Sequence, residues 1–520
     1  MNFSSTICMV TILVLIQFSR LASAQDESFI TNQIGPDNLL NTPWDLQYGP
    51  DGYLWITEKH DGVLLRVNPE TAERDELIHL SDLSSSGGQD GLLGFAFHEK
   101  FQSDSPYIYV SYTHLLSGER RQKLVRFTYS INGNDGSLSS PVVLLDGLPS
   151  SNDHQSGRLL YGPDNKLYYT IGDQGVKVCD NNLAQFLPTQ QQIDNNDWSR
   201  YPGKVLRLNT DGSIPEDNPV IDGVKSHVYS YGHRNPQGLV FGNNGILYSD
   251  EHGPSSDDEI NIIDPGKNYG WPYVAGIKDN LVYDNDGCHS NETSFTDPNY
   301  QDPLLSLFTP DTEKEPSCND AWMCRPNIAP SSIAIYENDK IPGWENALLL
   351  TSLKKGRVYK VQLDETGTSV IGEPIPYFYT TNRYRDIAID PDGKSFYIIT
   401  DNTGKTADAS GMNTLRDMQN PGTILKFTYQ ETLSDNKPVA NVFFKIWPNP
   451  ASNTLFIQVN SDPYPDLNAT LINSTGQVVK RYPDLKNGTN ETNTEDLAPG
   501  IYLLNLQSKQ EMWHERVVVH

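Results

Sequence analysis

A two-part phrase recurs between residues 44 and 430, and it restricts the fold of this chain more than any single motif does. Its first part is an apolar or alternating strand, a turn rich in Gly, Pro, Asp and Asn, and an aromatic-rich strand ending in Thr, Ser, Asp or Glu. Leu46–Glu58 is one copy, turning at Gly49-Pro50-Asp51-Gly52. Leu159–Asp173, Leu239–Glu251 and Ile387–Asp401 are others, with looser copies at Leu92–Thr113 and Ile333–Ser352. The second part is a basic-tipped strand: Leu64-Leu65-Arg66-Val67, Leu124-Val125-Arg126-Phe127, Val205-Leu206-Arg207-Leu208, Val358-Tyr359-Lys360-Val361 and Ile424-Leu425-Lys426-Phe427. Ile260-Asn261-Ile262-Ile263 is a weaker member. Alternation with period two and X-Asp-Gly turns predicts hairpins, and no long helical periodicity intervenes.

Six units of this kind, each a small antiparallel sheet, predict a radial array over residues 25–430. The expected fold class is all-β: a six-bladed β-propeller followed by a small C-terminal β-sandwich. A pair of β-sandwiches or a seven-bladed ring fits the six copies less well. After Tyr429 the composition shifts: residues 431–440 read as a polar linker, and a short-strand pattern fills 441–520. Its phrases are Trp447-Pro448-Asn449-Pro450, Thr475-Gly476-Gln477-Val478-Val479, Leu497-Ala498-Pro499-Gly500-Ile501-Tyr502-Leu503 and the closing Arg516–His520. About seven strands in this stretch make a sandwich. In that order the phrases resemble the C-terminal sorting domain of type IX secretion cargo, which implies the type IX machinery as a partner.

The net charge of −27 repels phosphate backbones and argues against a nucleic-acid partner. The carboxylate excess suits a calcium-loaded, exported protein. Residues 1–24 read as a signal peptide: an apolar run Ile7–Ile16 leads to Ala22-Ser23-Ala24, although no Lys or Arg precedes the run. No segment has the roughly 18 apolar residues of a transmembrane helix. Export through the periplasm to the cell surface or medium follows. Removal of the leader takes Cys8 and leaves Cys179, Cys288, Cys318 and Cys324, an even number that suits an oxidising compartment. Cys318 with Cys324, six apart, is one possible pair that would close a small loop, Cys179 with Cys288 is a second, and free buried thiols are the alternative.

Four constellations carry chemistry. Asp153-His154-Gln155-Ser156-Gly157 sits in a loop before a repeat strand, where an imidazole beside a carboxylate suits a general base. Gly232-His233-Arg234-Asn235-Pro236-Gln237-Gly238 places a rigid cation and two amides in a turn suited to a polyol or carboxylate. Gly253-Pro254-Ser255-Ser256-Asp257-Asp258-Glu259, with Asn268–Pro272 and Asp279, offers hard oxygens and turn carbonyls of the kind calcium takes, without EF-hand spacing. Lys354-Lys355 and Arg383-Tyr384-Arg385 are cations at comparable places in the last two repeats, suited to a polyanion. Dinucleotide, Walker, nucleophile-elbow and His-Glu-x-x-His signatures are absent from the sequence.

Together these phrases resemble the soluble pyrroloquinoline-quinone (PQQ) glucose dehydrogenases and their aldose dehydrogenase relatives. Gly88–His98, Asp153–Gly175, Gly232–Gly238, Gly253–Asn261 and Asn382–Asp386 carry the likeness. The resemblance implies that His154 takes the proton of the sugar C1 hydroxyl while hydride passes to C5 of the quinone, with Asp153 supporting that histidine. It implies that Gln89 and Arg234 hold the sugar, and that Arg234, Asn235, Lys354, Arg383 and Arg385 surround PQQ, with Asp258 and Asn327 near it. The carbonyls of Gly253 and Pro254 would hold a Ca²⁺ touching PQQ. Glu259, Asp279 and the carbonyls of Tyr269 and Ala275 would hold a second, structural Ca²⁺. An aldose substrate and an external electron acceptor complete the expected partners.

The chain departs from the family pattern near the pocket. Cys318 and Cys324 stand where the family has a disulfide, but Trp322 replaces Tyr, Arg325 replaces Trp, Asn327 replaces Thr and His252 replaces Gln, and the segment between Asp279 and Cys318 is shorter. A calcium-dependent sugar lactonase and a non-catalytic glycan- or protein-binding propeller are the competing readings. The first leaves the basic residues without a purpose, and the intact Asp153-His154 argues against the second.

Overall fold

The computed structural model describes residues 28–175, 182–281, 291–307, 325–408, 413–430, 443–448, 451–460, 467–473, 478–498, 500–507 and 512–519. The expected leader, the 431–440 linker, Trp322 and Cys179, Cys288, Cys318 and Cys324 lie outside the described residues. The chain divides into two compact units, Met1–Gln430 and Glu431–His520.

The first unit holds six four-stranded antiparallel sheets, the blades of a propeller. The innermost strands, in blade order, are Pro43–Tyr48, Leu92–Phe97, Ser156–Tyr161, Pro236–Phe241, Pro330–Tyr336 and Tyr384–Ile389. Each packs on the next, and the sixth packs on the first. Ser28–Ile34 pairs with Ile424–Gln430, so the start of the described chain supplies the outer strand of the last blade and closes the ring. Closure removes the long edges that an open array would expose.

The recurring phrase now has a physical reading. Its first part is the inner hairpin of a blade, and its basic tip lies on the third strand, where it reaches back to the hairpin turn. Arg66 meets Asp51 at 2.9 Å, Arg207 meets Asp164 at 2.7 Å, and Lys426 lies 3.9 Å from Asp390. A turn carboxylate and a third-strand cation thus clamp three blades. Apolar side chains fill the gaps between neighbouring blades. Trp55 and Leu64 of blade 1 meet Phe95, Ile108 and Val125 of blade 2, all buried. Burial on both faces explains why these strands read as nearly continuous apolar runs.

All six inner hairpins carry a register shift near the start of the inner strand. A bulge re-aims side chains, and polar residues beside these bulges meet at one buried hub. Arg158 donates to Asp45 (2.7 Å), Asp386 (2.8 Å) and the carbonyls of Gln237 (2.9 Å) and Ser331 (3.3 Å). Asp45 also accepts from the Phe95 amide at 2.9 Å. One guanidinium therefore ties blade 3 directly to blades 1, 4, 5 and 6, and through Asp45 to blade 2.

The second unit has a three-stranded sheet (Phe443–Trp447, Thr454–Asn460, Gly488–Asn493) and a four-stranded one (Leu467–Ile472, Val478–Leu485, Gly500–Gln507, Met512–Val519). Leu455, Ile457 and Val459 of the first pack with Leu467, Leu471, Leu504, Leu506 and Val517 of the second. This is the expected small sandwich.

Candidate active site

The loop before the inner strand of blade 3 holds His154 in the left-handed region, at φ 43°. A non-glycine residue there is strained, and such strain concentrates at functional sites. The loop packs tightly on the chain end that follows the same hairpin: a Cβ at position 172 would lie 1.9 Å from the His154 carbonyl oxygen, so only glycine fits. This contact brings Asp173 to the imidazole, with Nδ1 2.6 Å from Asp173 Oδ1. Burial opposes the charge of Asp173, but His154 and Arg234 hold its carboxyl below the usual range. An ionised carboxylate only accepts hydrogen bonds, so Nδ1 carries the hydrogen and Nε2 presents a lone pair. Trp271 Nε1 donates to the other oxygen of Asp173 at 2.8 Å, and the Gly175 amide to the first at 2.9 Å.

Asp153, expected to support the histidine, lies near Nε2 rather than at Nδ1. Its carboxylate is half exposed and stands 3.9 Å from His154 Nε2, on the side away from Asp173. Gln89 Nε2 donates to it at 2.7 Å. Asp173, which ends the repeat copy Leu159–Asp173, is the residue that meets Nδ1 of the ring. Its signal in the sequence was its place at the end of a repeat strand.

Beside this loop lies a cavity of about 240 Å³ whose wall includes Lys59, Gln89, Gln237, His252, Arg383 and Arg385. Asp401 is the single carboxylate residue on the wall. It accepts from Arg383 Nε at 3.2 Å and Arg385 Nη2 at 3.1 Å. Although burial opposes its charge, these two arginines and Lys59 hold its carboxyl below the usual range. Arg234 donates to the His252 carbonyl at 3.1 Å and lies over the Trp271 ring, yet its buried Nε has no hydrogen-bond partner. Asn235 is buried, and its side chain accepts from Ser156 (3.0 Å) and Gln237 (2.9 Å). Lys354 donates to the Arg325 carbonyl and to Asn327 Oδ1 (2.9 Å), which joins the two departures Arg325 and Asn327 to a residue expected at the cofactor.

Two imidazoles, His60 and His252, stand on the wall. His252 Nε2 meets the Pro330 carbonyl at 2.7 Å and must donate there. Burial, with Arg234 and His154 nearby, pushes its proton affinity down to about 3. It therefore stays neutral at any ordinary pH and is a poor proton acceptor.

The 253–259 turn is built around Asp258. Its carboxylate accepts from the amides of Gly253 (2.9 Å), Ile328 (2.6 Å) and Ala329 (3.0 Å). Asp258 therefore shapes the turn, and burial pushes its pKa up to about 6. A Cβ at 253 would lie 1.9 Å from the Ser256 carbonyl oxygen, so glycine is required. Glu259 and Glu251 are buried near one another. Burial pushes Glu251 up to about 7, and burial with the Glu251 charge pushes Glu259 well above the ordinary glutamate range. Glu259 also accepts from the Gly276 amide at 2.8 Å, beside Ala275. Asp279 accepts from the Leu281 amide at 2.7 Å. Tyr269 stacks on buried His233 at 4.6 Å between ring centres. Glu292 escaped the sequence reading: it is fully buried and accepts from the amides of Ala275 and Asn280, both at 3.0 Å, so it braces the loop that carries Ala275 and Asp279.

Both expected ligand classes fit these residues. The cavity wall has more cationic than anionic side chains, and Arg234 Nε lacks an acceptor, which suits a polycarboxylate. Glu259, buried beside turn carbonyls and next to the Glu251 charge, supplies hard oxygen of the kind that suits Ca²⁺. Among the described residues no group of three or more His, Cys, Asp or Glu side chains forms a metal centre. Any calcium there must draw on backbone carbonyls, as the expected sets do.

Residues 40–408 match the family Glucose / Sorbosone dehydrogenase, and residues 445–520 match the Secretion system C-terminal sorting domain. Quinoprotein glucose dehydrogenase B of Acinetobacter calcoaceticus is 44% identical over 452 residues, covering 79% of this chain and 93% of its own. Aldose sugar dehydrogenase YliI of Escherichia coli (strain K12) is 27% identical over 381 residues, covering 72% of this chain and 91% of its own. Among solved structures, the PQQ-bound aldose sugar dehydrogenase of Streptomyces coelicolor matches with a TM-score of 0.56 and 26% identity, over 78% of this chain and 99% of that one. No helix among the described residues is long and apolar enough to cross a membrane.

Proposed function

Because this chain belongs to the glucose/sorbosone dehydrogenase family, we propose that it oxidises aldose sugars at C1 to the lactone, using PQQ and Ca²⁺. The observation that carries the reading is the pairing of His154 with Asp173 beside a wall of under-compensated cations. PQQ, when bound, supplies a quinone carbonyl that accepts hydride, and Ca²⁺ polarises it. Arg234, Asn235, Lys354, Arg383 and Arg385 would hold the quinone, with Asp258 and Asn327 fixing the loops beside it. The carbonyls of Gly253 and Pro254 would hold the calcium that touches it. Glu259, Asp279 and the carbonyls of Tyr269 and Ala275 would hold the structural one.

The chain's own residues perform the proton chemistry. Asp173 locks Nδ1–H, so Nε2 of His154 accepts the C1 hydroxyl proton. The imidazolium that results stands between Asp173 and Asp153, whose charges stabilise it. Gln89 orients Asp153 on the open side, where a sugar hydroxyl docks. Electrons then leave to an external acceptor. The C-terminal domain supports export through the periplasm and delivery by the type IX machinery to the cell surface or medium.

The test is reconstitution of the full chain with PQQ and Ca²⁺, following dye reduction across a panel of aldoses. Reduction should need sugar and both additives. His154→Ala should retain PQQ and lose about 10²–10⁴-fold in rate. Calcium binding without PQQ uptake would favour a lactonase or binding propeller instead, and near-normal turnover by His154→Ala would remove that residue from the mechanism.

A further inference from the structure

Most buried cations of the propeller are matched. Arg66 meets Asp51 and Asp75, Arg158 meets Asp45 and Asp386, and Lys204 donates to three carbonyls. Lys59 is different. It follows the strand Leu54–Glu58 and lines the same cavity as Arg383 and Arg385. Its backbone is pinned on both sides: the amide donates to Thr42 O at 2.9 Å, and its carbonyl accepts from Leu92 N at 2.8 Å. A Cβ at position 91 would lie 2.1 Å from that carbonyl oxygen, so the close approach depends on Gly91. The ammonium makes no hydrogen bond or ion pair with any described residue. Lys59 is only partly buried, so its unpaired ammonium faces the cavity, open to solvent or to an anionic ligand.

We propose that Lys59 is a cofactor-binding residue, a further cation of the cradle that receives a carboxylate of the quinone. The inference rests on the PQQ reading above and adds a residue that neither the motifs nor the resemblance assigned. The groups around Lys59 are Arg385, Arg383, Asp401, Asp90 and His60. Asp401 is already shared by the two arginines, and burial with the Lys59 charge lowers the proton affinity of His60. Burial and the two arginines bring Lys59 down to about 8. An arriving carboxylate reverses that shift, so binding draws a proton from solvent at mildly alkaline pH.

The test uses the full chain, saturated with Ca²⁺ and without sugar, titrated with PQQ while tryptophan fluorescence is followed. Lys59→Met should weaken binding by about 10–100-fold, the scale of one charge-assisted hydrogen bond, and Lys59→Arg should largely restore it. Calorimetry at about pH 8.5 in buffers of different ionisation enthalpy supplies the second readout. The parent should take up protons on binding, and Lys59→Arg should take up fewer, because arginine is already charged there. Lys59→Met binding within about twofold of the parent, or Lys59→Arg with undiminished uptake, overturns the proposal and leaves the PQQ reading standing. A parent that fails to bind PQQ overturns both.

Discussion

Two groups of buried cations share the propeller and part of their surroundings, since Trp44 and Gln237 border both. Around Arg158, Nε, Nη1 and Nη2 all donate, and two carboxylates accept from the same guanidinium. Around the cavity, Lys59, Arg383 and Arg385 have Asp401 as the one carboxylate residue on the wall, and Arg234 Nε lacks an acceptor. Arg383 also donates to the carbonyls of Leu353 and Lys405, so the contrast lies in the carboxylates: two for the single Arg158, one for the three cations of the wall. The first group is closed among its own residues, while the second leaves net positive charge facing an open cavity. Hydrogen-bond accounting separates the two roles where residue type alone does not.

The largest expected effect comes from breaking the saturated group. Arg158→Met strands Asp45 and Asp386 in the interior and should cost about 3–5 kcal/mol in denaturant unfolding. Arg385→Met should cost the unliganded protein about 1 kcal/mol or less, because Asp401 keeps Arg383. It should nevertheless weaken PQQ binding. Equal losses of stability in the two variants would erase the distinction between hub and cavity.

A middle-sized effect tests how the base is held. Asp173→Asn keeps the shape but removes the charge that fixes Nδ1–H and stabilises the imidazolium, so kcat should fall by about 10–100-fold. Trp271→Phe removes one donor to Asp173 and leaves the Gly175 amide, and should cost about tenfold or less. Its loss should show in kcat, accompanied by an altered acidic limb of the pH–rate profile. An Asp153→Asn variant more damaged in kcat than Asp173→Asn would reverse the roles assigned to the two aspartates.

What was legible in the sequence follows from distance along the chain. Hairpins and their clamps are local: Asp51 and Arg66 are 15 residues apart, so in the clamped blades turn and basic tip appear close together in the sequence. The six blades, the tail sandwich and the His154 loop were readable for this reason. The Asp173 contact spans 19 residues and was within reach, but a strand-ending Asp recurs in several copies and nothing local distinguished this one. The Arg158 hub spans 113 and 228 residues to its two carboxylates and exists only when six bulged strands converge. Lys59 was hidden differently, because its neighbours Arg383 and Arg385 come from the opposite end of the ring-forming sequence. Glu292 lies in a stretch without a repeat to mark it.

The smallest effect probes the edge of the saturated group. Asp250 is buried near Arg158, and neither of its oxygens makes a hydrogen bond of normal geometry. Burial pushes Asp250 up to about 7 despite Arg158, and pushes Asp45 to about 7 as well. Both values lie above the 3.8 of an ordinary aspartate. Raised carboxyls stabilise the fold most when protonated, so their contribution is complete below about pH 4 and is lost as pH climbs through 7. Asp173 and Asp401 act in the opposite sense, and their contribution is lost only in acid below the ordinary aspartate range. Between pH 5 and 7 the raised carboxyls, Glu251, Asp258, Glu259 and Glu292 together with Asp250 and Asp45, therefore dominate, and unfolding stability should decline with rising pH, Asp250 accounting for on the order of 1 kcal/mol per unit. Asp250→Asn, neutral at every pH, should flatten that slope and match or exceed the parent at pH 8. An unchanged slope would mean that Asp250 stays ionised, that Arg158 compensates three carboxylates rather than two, and that the hub is more deeply saturated than its hydrogen bonds indicate.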